Sequence, residues 1–168
     1  MISRKRSLQI LEEAGCSKGV IEHCIAVSEL ATEIGNKLAD DGIEIDLALV
    51  EIGGLLHDIG RSKTHSIRHA VEGANIARKL QIDASIAEII KRHIGAGITI
   101  DEILKFDLPE DNYMPETIEE KVVAHADNLI KGTERISLEE RISLMVNGKI
   151  DGKAIKRVRA LAEDIGFY

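Results

Sequence analysis

The sequence has few of the residues that mark several common classes of protein. Its 168 residues include no tryptophan, two tyrosines and two phenylalanines. Proteins that bind single-stranded nucleic acid use aromatic side chains as stacking platforms within a basic groove. This chain offers few such platforms, and its formal net charge is −7. We therefore expect no long nucleic-acid partner, although a local basic cluster could hold a small anionic substrate.

Long apolar runs are also absent. No stretch approaches the roughly 18 apolar residues that a membrane-spanning helix needs. The basic start of the chain leads into an amphipathic pattern, without the apolar segment and cleavage site of a signal peptide. The two cysteines, Cys16 and Cys24, form no CxxC pair and are too few for a disulfide framework. These absences predict a cytoplasmic protein with no membrane partner.

Helical periodicity covers almost the whole chain. Apolar residues recur at spacings of three and four, and no segment shows clear strand alternation. Ser17, Asp46 and Asp83 are predicted N-caps, and Pro115 is predicted to open a helix. The predicted helices cover approximately residues 6–14, 17–39, 46–60, 67–80, 83–94, 100–105, 115–131, 138–147 and 152–165. No repeat or linker divides the sequence, so we expect one all-α domain over 1–168.

Several ionisable residues lie on otherwise apolar helical stripes. His23, His69, His93 and Asp127 each fall on such a stripe, in four different predicted helices. Burying an ionisable group costs free energy unless the group is paired or binds a metal. A hydrogen bond within the core would explain any one of these histidines. Taken together with His57, they indicate a metal ion at the point where the helices converge.

The dipeptide His57-Asp58 is informative because of its setting. A chain of this composition often contains one such dipeptide by chance. One turn earlier, Gly53-Gly54 allows a neighbouring helix to approach closely, and Gly60 is predicted to end the helix in a left-handed conformation. With its two carboxylate oxygens, Asp58 is the natural candidate to bridge two ions.

The order of these residues resembles the HD-domain superfamily of metal-dependent phosphohydrolases, in its HDIG form. The family pattern is a histidine on an early helix, a His-Asp doublet on the next long helix and a distant aspartate. His23, His57-Asp58 and Asp127 match it in order. The resemblance covers about 17–131 and leaves a helical extension over about 133–168. It implies a helical bundle with a metal site in its core, in a small stand-alone prokaryotic or archaeal member.

The resemblance also implies the metal ligands. Members with two metal ions add histidines between the doublet and the last aspartate. The implied ligands of one or two divalent ions are His23, His57, Asp58, His69, His93 and Asp127. Asp58 would bridge the two ions, with His69 and His93 holding the second. His65 lies one helical turn before His69 and either completes the second site or lies in solvent.

The donor set indicates the metal and the chemistry. Imidazole and carboxylate ligands without thiolate suit Mn, Fe, Co, Ni or Zn better than Mg or Ca. Such an ion lowers the pKa of bound water to roughly 7, which gives a hydroxide at neutral pH. Phosphoester cleavage also needs cations near the developing charge. The candidates are Arg61 and Arg68, followed by Lys63, Arg92 and Lys131.

One principal function and two alternatives follow. The principal function is hydrolysis of a phosphate mono- or diester of a small molecule such as a nucleotide. One alternative is oxygenation by a mixed-valent di-iron pair, as in inositol oxygenase of the same superfamily. The other is a metal-containing module that senses a ligand without turnover. The charged C-terminal helices could form a homodimer surface. There is no Gly-Tyr-Pro triplet, so the cyclic-dinucleotide phosphodiesterase branch is not supported.

Overall fold

The computed structural model describes residues 2–168, which fold mainly into α-helices joined by short loops. About 65% of the chain is helical, and the chain forms a single domain. The predicted all-α class is therefore confirmed. The elements in chain order are α1 (Arg4–Ala14), α2 (Lys18–Asp40), α3 (Leu47–Leu56), a 3₁₀ helix (Ile59–Ser62), α4 (His69–Lys79), α5 (Ala84–Arg92), α6 (Ile100–Lys105), α7 (Ile118–Asn128), β1 (Ile130–Lys131), β2 (Glu134–Arg135), α8 (Leu138–Asn147) and α9 (Gly152–Ile165).

Side-chain caps determine where several helices begin. The Ser17 side chain accepts a hydrogen bond from the backbone amide of Val20, and Asp46 accepts one from Leu49. Asp83 caps α5 in the same way. These bonds satisfy amides that the first turn of a helix leaves without partners. All three predicted N-caps are therefore confirmed.

The predicted start of α7 is wrong. The helix begins at Ile118, three residues after Pro115. Thr117 and Glu120 form a capping box, in which each side chain accepts a hydrogen bond from the backbone amide of the other residue. Beyond its C-terminal end, β1 and β2 form a short antiparallel hairpin that the sequence pattern did not predict. Two residues per strand are too few to show alternation.

Helix α3 lies at the centre of the molecule and contributes to two apolar clusters. It packs against α2 on one side, where a Cβ added at Gly54 would lie 2.8 Å from the Cα of Ser28. A Cβ added at Gly53 would lie 2.6 Å from the side chain of Ile89 in α5. The close approach predicted at Gly53-Gly54 is thus confirmed, and it brings α2 and α5 up to the end of α3.

Gly60 has a different role from the predicted left-handed helix end. Helix α3 already ends at Leu56, and the positive-φ residues within 2–168 do not include Gly60. A Cβ added at Gly60 would lie 1.9 Å from the carbonyl oxygen of His69 and 2.6 Å from the amide nitrogen of Gly73. The missing side chain lets the 3₁₀ helix pack directly on the backbone of α4. This contact places His69 beside the His57-Asp58 doublet.

We expect Gly60→Ala to destabilise the protein strongly, because the added methyl group would overlap backbone atoms of α4. Overpacking of this kind costs about 3 kcal/mol. For a chain of this size, that cost lowers Tm by roughly 6–12 °C, which thermal unfolding followed by circular dichroism would detect. Gly19→Ala is the matched control, because a Cβ there meets no atom within 4 Å. An unchanged Tm for Gly60→Ala would contradict the close contact.

The C-terminal helices pack into the same core as α2 and α7. Val158, Leu161 and Ile165 of α9 are buried in one cluster with residues of both helices. His125 of α7 points away from the other histidines, and its Nε2 donates to the carbonyl oxygen of Phe167 at 2.7 Å. No helix within residues 2–168 combines the length and the apolar character needed to cross a membrane.

Candidate metal centre

Four histidines are each held by a hydrogen bond between the ring and a backbone carbonyl group. Each Nδ1 lies 2.7–2.8 Å from a carbonyl oxygen, in the pairs His23 with Gly132, His57 with Gly54, His69 with Ser66, and His93 with Ile90. In three pairs the carbonyl belongs to the residue three positions earlier. A carbonyl oxygen only accepts, so Nδ1 carries the proton in the neutral ring. Nε2 is then left with a free lone pair.

Two of these carbonyls are available because they lie at helix ends. The last four carbonyl groups of an α-helix have no partner within the helix. Gly54 lies in the last turn of α3, and Ile90 lies in the last turn of α5. His57 and His93 are the C-cap residues of these helices and bond back to those carbonyls. The local fold therefore fixes the orientation of each ring.

The Nε2 atoms of His23 and His57 face two carboxylates. His23 Nε2 lies 3.0 Å from Asp127 Oδ1. His57 Nε2 lies 3.6 Å from the same oxygen and 3.7 Å from Asp58 Oδ2. These four side chains come from α2, the end of α3 and α7. They form the first half of the cluster.

The other oxygen of Asp58 faces a second pair of histidines. His69 Nε2 lies 3.1 Å from Asp58 Oδ1, and His93 Nε2 lies 3.5 Å from it. The two Nε2 atoms are 3.1 Å apart. Asp58 thus lies between the halves of the cluster, with one oxygen toward each. The structure brings together all six residues that the sequence predicted as metal ligands.

The donor atoms of this cluster fit a metal ion. His57 Nε2 and Asp58 Oδ1 are buried and have no hydrogen-bond partner in the described part of the chain, at a cost of about 1–3 kcal/mol for such an atom. The facing lone pairs of His69 and His93 repel unless a cation lies between them. Two nitrogens bound to one tetrahedral ion are roughly 3.3 Å apart, close to the observed separation. The cluster contains three groups of three residues, and within each group the donor atoms lie within 4.8 Å of one another.

The electrostatics of the cluster also favour a cation. Burial raises the pKa of Asp58, but the neighbouring imidazoles of His57, His69 and His93 outweigh this and lower it far below its usual value. The pKa of Asp127 is likewise lowered, because the neighbouring imidazoles of His23 and His57 outweigh burial. Both carboxylates therefore stay ionised near neutral pH, and they place two negative charges at the centre of the cluster.

Arg61 is the predicted cation that the structure places against the cluster. Its Nε donates to Asp58 Oδ2 at 2.5 Å. Its side chain is 30% exposed and lines the cavity over the cluster. The remaining N–H groups of the guanidinium are therefore next to the space that a ligand would occupy.

The structure does not bring the other predicted cations and His65 equally close. Arg68 donates to the carbonyl oxygen of Asp107 at 2.6 Å and does not line the cavity. His65 and Lys63 are exposed and also lie outside the cavity lining. Arg92 is held in ion pairs with three glutamates. Lys131, in contrast, lines the cavity from β1.

A cavity of about 920 Å³ lies over the cluster. Four cluster residues line it, and most of the remaining wall comes from residues 94–99, α6, the hairpin and the two C-terminal helices. The basic residues in the lining are Arg61, Lys105, Lys131, Arg141, Lys149, Lys153 and Arg157. They outnumber the four acidic ones, whereas the whole chain has 22 Lys and Arg against 29 Asp and Glu. The cavity therefore concentrates positive charge in an acidic protein, which suits an anionic ligand.

Sequence reasoning missed the contribution of the C-terminal helices. Arg141 of α8 donates to the carbonyl oxygens of Asn128 at 2.5 Å and Asp127 at 3.0 Å. It thereby holds the end of α7, which carries Asp127. The free carbonyls at a helix end predict that some donor is needed. They do not identify Arg141 as that donor.

The sequence is similar to one protein family and to individual known proteins. The sequence model of the HD domain family matches residues 20–132. An uncharacterized protein of Methanocaldococcus jannaschii is 48% identical over 163 residues, which are 96% of this chain and 95% of that protein. The tRNA (cytidine(56)-2'-O)-methyltransferase of Thermoplasma volcanium is 47% identical over 133 residues. That match covers 79% of this chain and spans 38% of the methyltransferase.

A solved structure has the same fold. The HD domain of the L. monocytogenes phosphodiesterase PgpH, in complex with cyclic-di-AMP, matches with a TM-score of 0.60. The match covers 93% of this chain and 92% of that one, at 16% sequence identity. At this identity the similarity establishes the helical architecture alone.

Proposed function

The chain belongs to the HD domain family, and on that premise we propose that it is a metal-dependent phosphohydrolase acting on a small phosphate mono- or diester such as a nucleotide. The observation that carries the proposal is the position of Asp58 between two groups of imidazole nitrogens. Its Oδ2 faces His57, and its Oδ1 faces His69. PgpH, which shares the fold, is itself a phosphodiesterase.

We assign the six clustered residues to two divalent ions. His23, His57, Asp58 and Asp127 would hold one, and Asp58, His69 and His93 would hold the other. When bound, a transition-metal ion lowers the pKa of a coordinated water and polarises phosphoryl oxygens. The hydrogen bonds from Nδ1 to backbone carbonyls would keep each Nε2 directed at the ion that it holds. Losing such a bond typically costs about 10–100-fold in metal affinity or activity.

The chain's own cations would bind and orient the phosphoryl group. Arg61 is anchored to Asp58 through Nε, which leaves its other N–H groups free to donate to phosphoryl oxygens. Lys131 and Arg141 extend the positive charge along the cavity wall. Arg68 and His65 would not contact the phosphoryl group, because neither lines the cavity.

We expect Arg61→Gln to lower kcat/KM about 100-fold, since it removes a charged donor from the reacting group. Steady-state hydrolysis of a phosphoester by the metal-loaded protein measures this effect. Metal content should stay unchanged, which separates loss of the donor from loss of the ions. Arg68→Gln removes the same charge seven residues away and should retain activity within a factor of about three. Equal losses in the two variants would contradict the role of Arg61.

A substrate screen tests the proposed function as a whole. The purified protein is loaded with Mn²⁺, Co²⁺ or Ni²⁺ and incubated with nucleoside phosphates, cyclic nucleotides and nitrophenyl phosphoesters. We expect metal-stimulated release of phosphate or alcohol from at least one class. Oxygen-dependent spectral changes of the iron-loaded protein would instead support a di-iron oxygenase. Strong thermal stabilisation by a nucleotide that is never consumed would support a sensing module.

A further inference from the structure

The cavity has a second group of cations outside the region that matches the HD domain family. Lys149, Lys153 and Arg157 follow one another at intervals of four residues, and all three line the cavity. Lys153 and Arg157 therefore lie on one face of α9. The family match ends at residue 132, so this wall lies outside the matched residues.

Arg157 is fixed in place by the protein alone. Its Nη2 donates to both carboxylate oxygens of Glu102, at 2.6 and 2.8 Å, and to the carbonyl oxygen of Gly97 at 3.2 Å. Glu102 in turn accepts from the backbone amide of Thr99 at 2.8 Å. The Nη1 of Arg157 makes no hydrogen bond within residues 2–168. A pre-oriented guanidinium with a free donor is well suited to bind an anion.

The contact with Gly97 limits how far Arg157 can lie from the metal centre. Gly97 follows His93 by four residues, and an extended chain spans at most about 3.6 Å per residue. The Cα atoms of His93 and Gly97 are therefore within about 14 Å of each other. Ile94 and Ile98, on the same segment, also line the cavity. The wall between the two charged regions is thus partly apolar.

We propose that Lys153 and Arg157 form a second anion-binding subsite. The substrate would then carry a second anionic group, a phosphate or a carboxylate, in addition to the phosphoester at the metal centre. An apolar or planar portion of the substrate would lie between its two charged ends. This inference rests on the proposed hydrolase function. If Arg157 served only to join α9 to α6 through Glu102, the charge of Lys153 would not affect ligand binding.

Non-hydrolysable phosphonates test the subsite by binding alone. Isothermal titration of the Mn²⁺-loaded protein would compare alkyl monophosphonates with α,ω-alkane bisphosphonates over a series of spacer lengths. At the best length, the bisphosphonate should bind at least about tenfold more tightly, as expected for one added charged hydrogen-bonded contact. A matching series with a terminal carboxylate shows whether the subsite accepts any anion or selects phosphate.

Variants on α9 identify the residues that cause the preference for bisphosphonates over monophosphonates. Arg157→Gln and Lys153→Gln should each reduce the preference to less than about threefold and leave monophosphonate affinity unchanged. Lys153 makes no ion pair in the described part of the chain, so Lys153→Gln tests the subsite even if Arg157→Gln fails to fold. Arg159→Gln and Lys156→Gln are the matched controls, since both residues are on α9 and outside the cavity lining. They should keep the full preference.

The outcomes separate this inference from the proposed function. Equal affinity for mono- and bisphosphonates at every spacer length would overturn the second subsite. The second subsite would also be overturned if Arg157→Gln and Lys153→Gln lost affinity for monophosphonates and bisphosphonates by the same factor. If monophosphonates bind without any dependence on metal, the proposed function fails instead. A bisphosphonate preference that disappears in Lys153→Gln would still support the subsite in that case.

Discussion

Asp58→Asn is expected to reduce metal-dependent hydrolysis about 10⁴-fold or more, equivalent to roughly 5.5 kcal/mol of activation free energy. Asp58 is the residue whose two oxygens face both halves of the histidine cluster. Asparagine keeps the shape of the side chain, but replaces one oxygen with an amide nitrogen that cannot bind a metal ion. It also removes a negative charge from a site that gathers four imidazoles. The bridge between two ions would be lost.

Activity and metal content are measured together for this variant. Steady-state rates give the loss of hydrolysis, and elemental analysis of the dialysed protein gives the ions bound per chain. We expect the variant to hold fewer ions than the wild-type protein. Asp40→Asn is a matched control, because Asp40 is exposed at the end of α2 and far along the chain from the cluster. Full ion content with near-normal activity in Asp58→Asn would contradict the assigned role.

Removing the metal is expected to lower the thermal stability substantially. An ion present at about 1,000 times its Kd stabilises the folded state by roughly 4 kcal/mol. In a chain of this length, that corresponds to roughly 8–16 °C in Tm. Circular dichroism is the suitable method, because the chain has no tryptophan for fluorescence. Tm would be measured with a chelator and with Mn²⁺, Co²⁺ or Zn²⁺ in excess.

The controls for metal removal use other ions and pH. Ca²⁺ at the same concentration should raise Tm much less, because it prefers oxygen ligands. Burial lowers the pKa of His57, but the charge of Asp58 outweighs this and raises it well above the usual value. In the metal-free protein, the protonated His57 therefore adds to the free energy of unfolding. This contribution is complete below about pH 6.5 and is lost as pH rises through the raised pKa. The benefit of adding metal should therefore increase with pH. An equal Tm with and without metal at every pH would refute the metal centre.

The sequence predicted the parts of the site that depend on local pattern. Helix starts at Ser17 and Asp46 follow from capping chemistry within three residues. His69, His93 and Asp127 stand out because each interrupts an apolar stripe that is visible along one helix. Their meeting at one point follows from the order of residues in the family that the sequence resembles.

The other features of the site depend on which helices pack against each other. Local sequence patterns do not predict that packing. Gly60 is needed because α4 approaches it, and that approach involves residues nine or more positions away. Arg157 and Lys153 look like ordinary surface charges until the orientation of α9 against the cavity is known. The start of α7, in contrast, is marked in the sequence by the capping-box residues Thr117 and Glu120, and the prediction that Pro115 opens this helix is wrong.

The separation of His23 and Asp127 along the chain has a consequence for unfolding. The two side chains are in contact although 104 positions separate them. An ion held by both would close a loop that includes most of the molecule. While that ion is bound, α2 and α7 cannot separate. The loaded protein should therefore unfold more slowly than the metal-free protein, because α2 leaves α7 only after the ion dissociates.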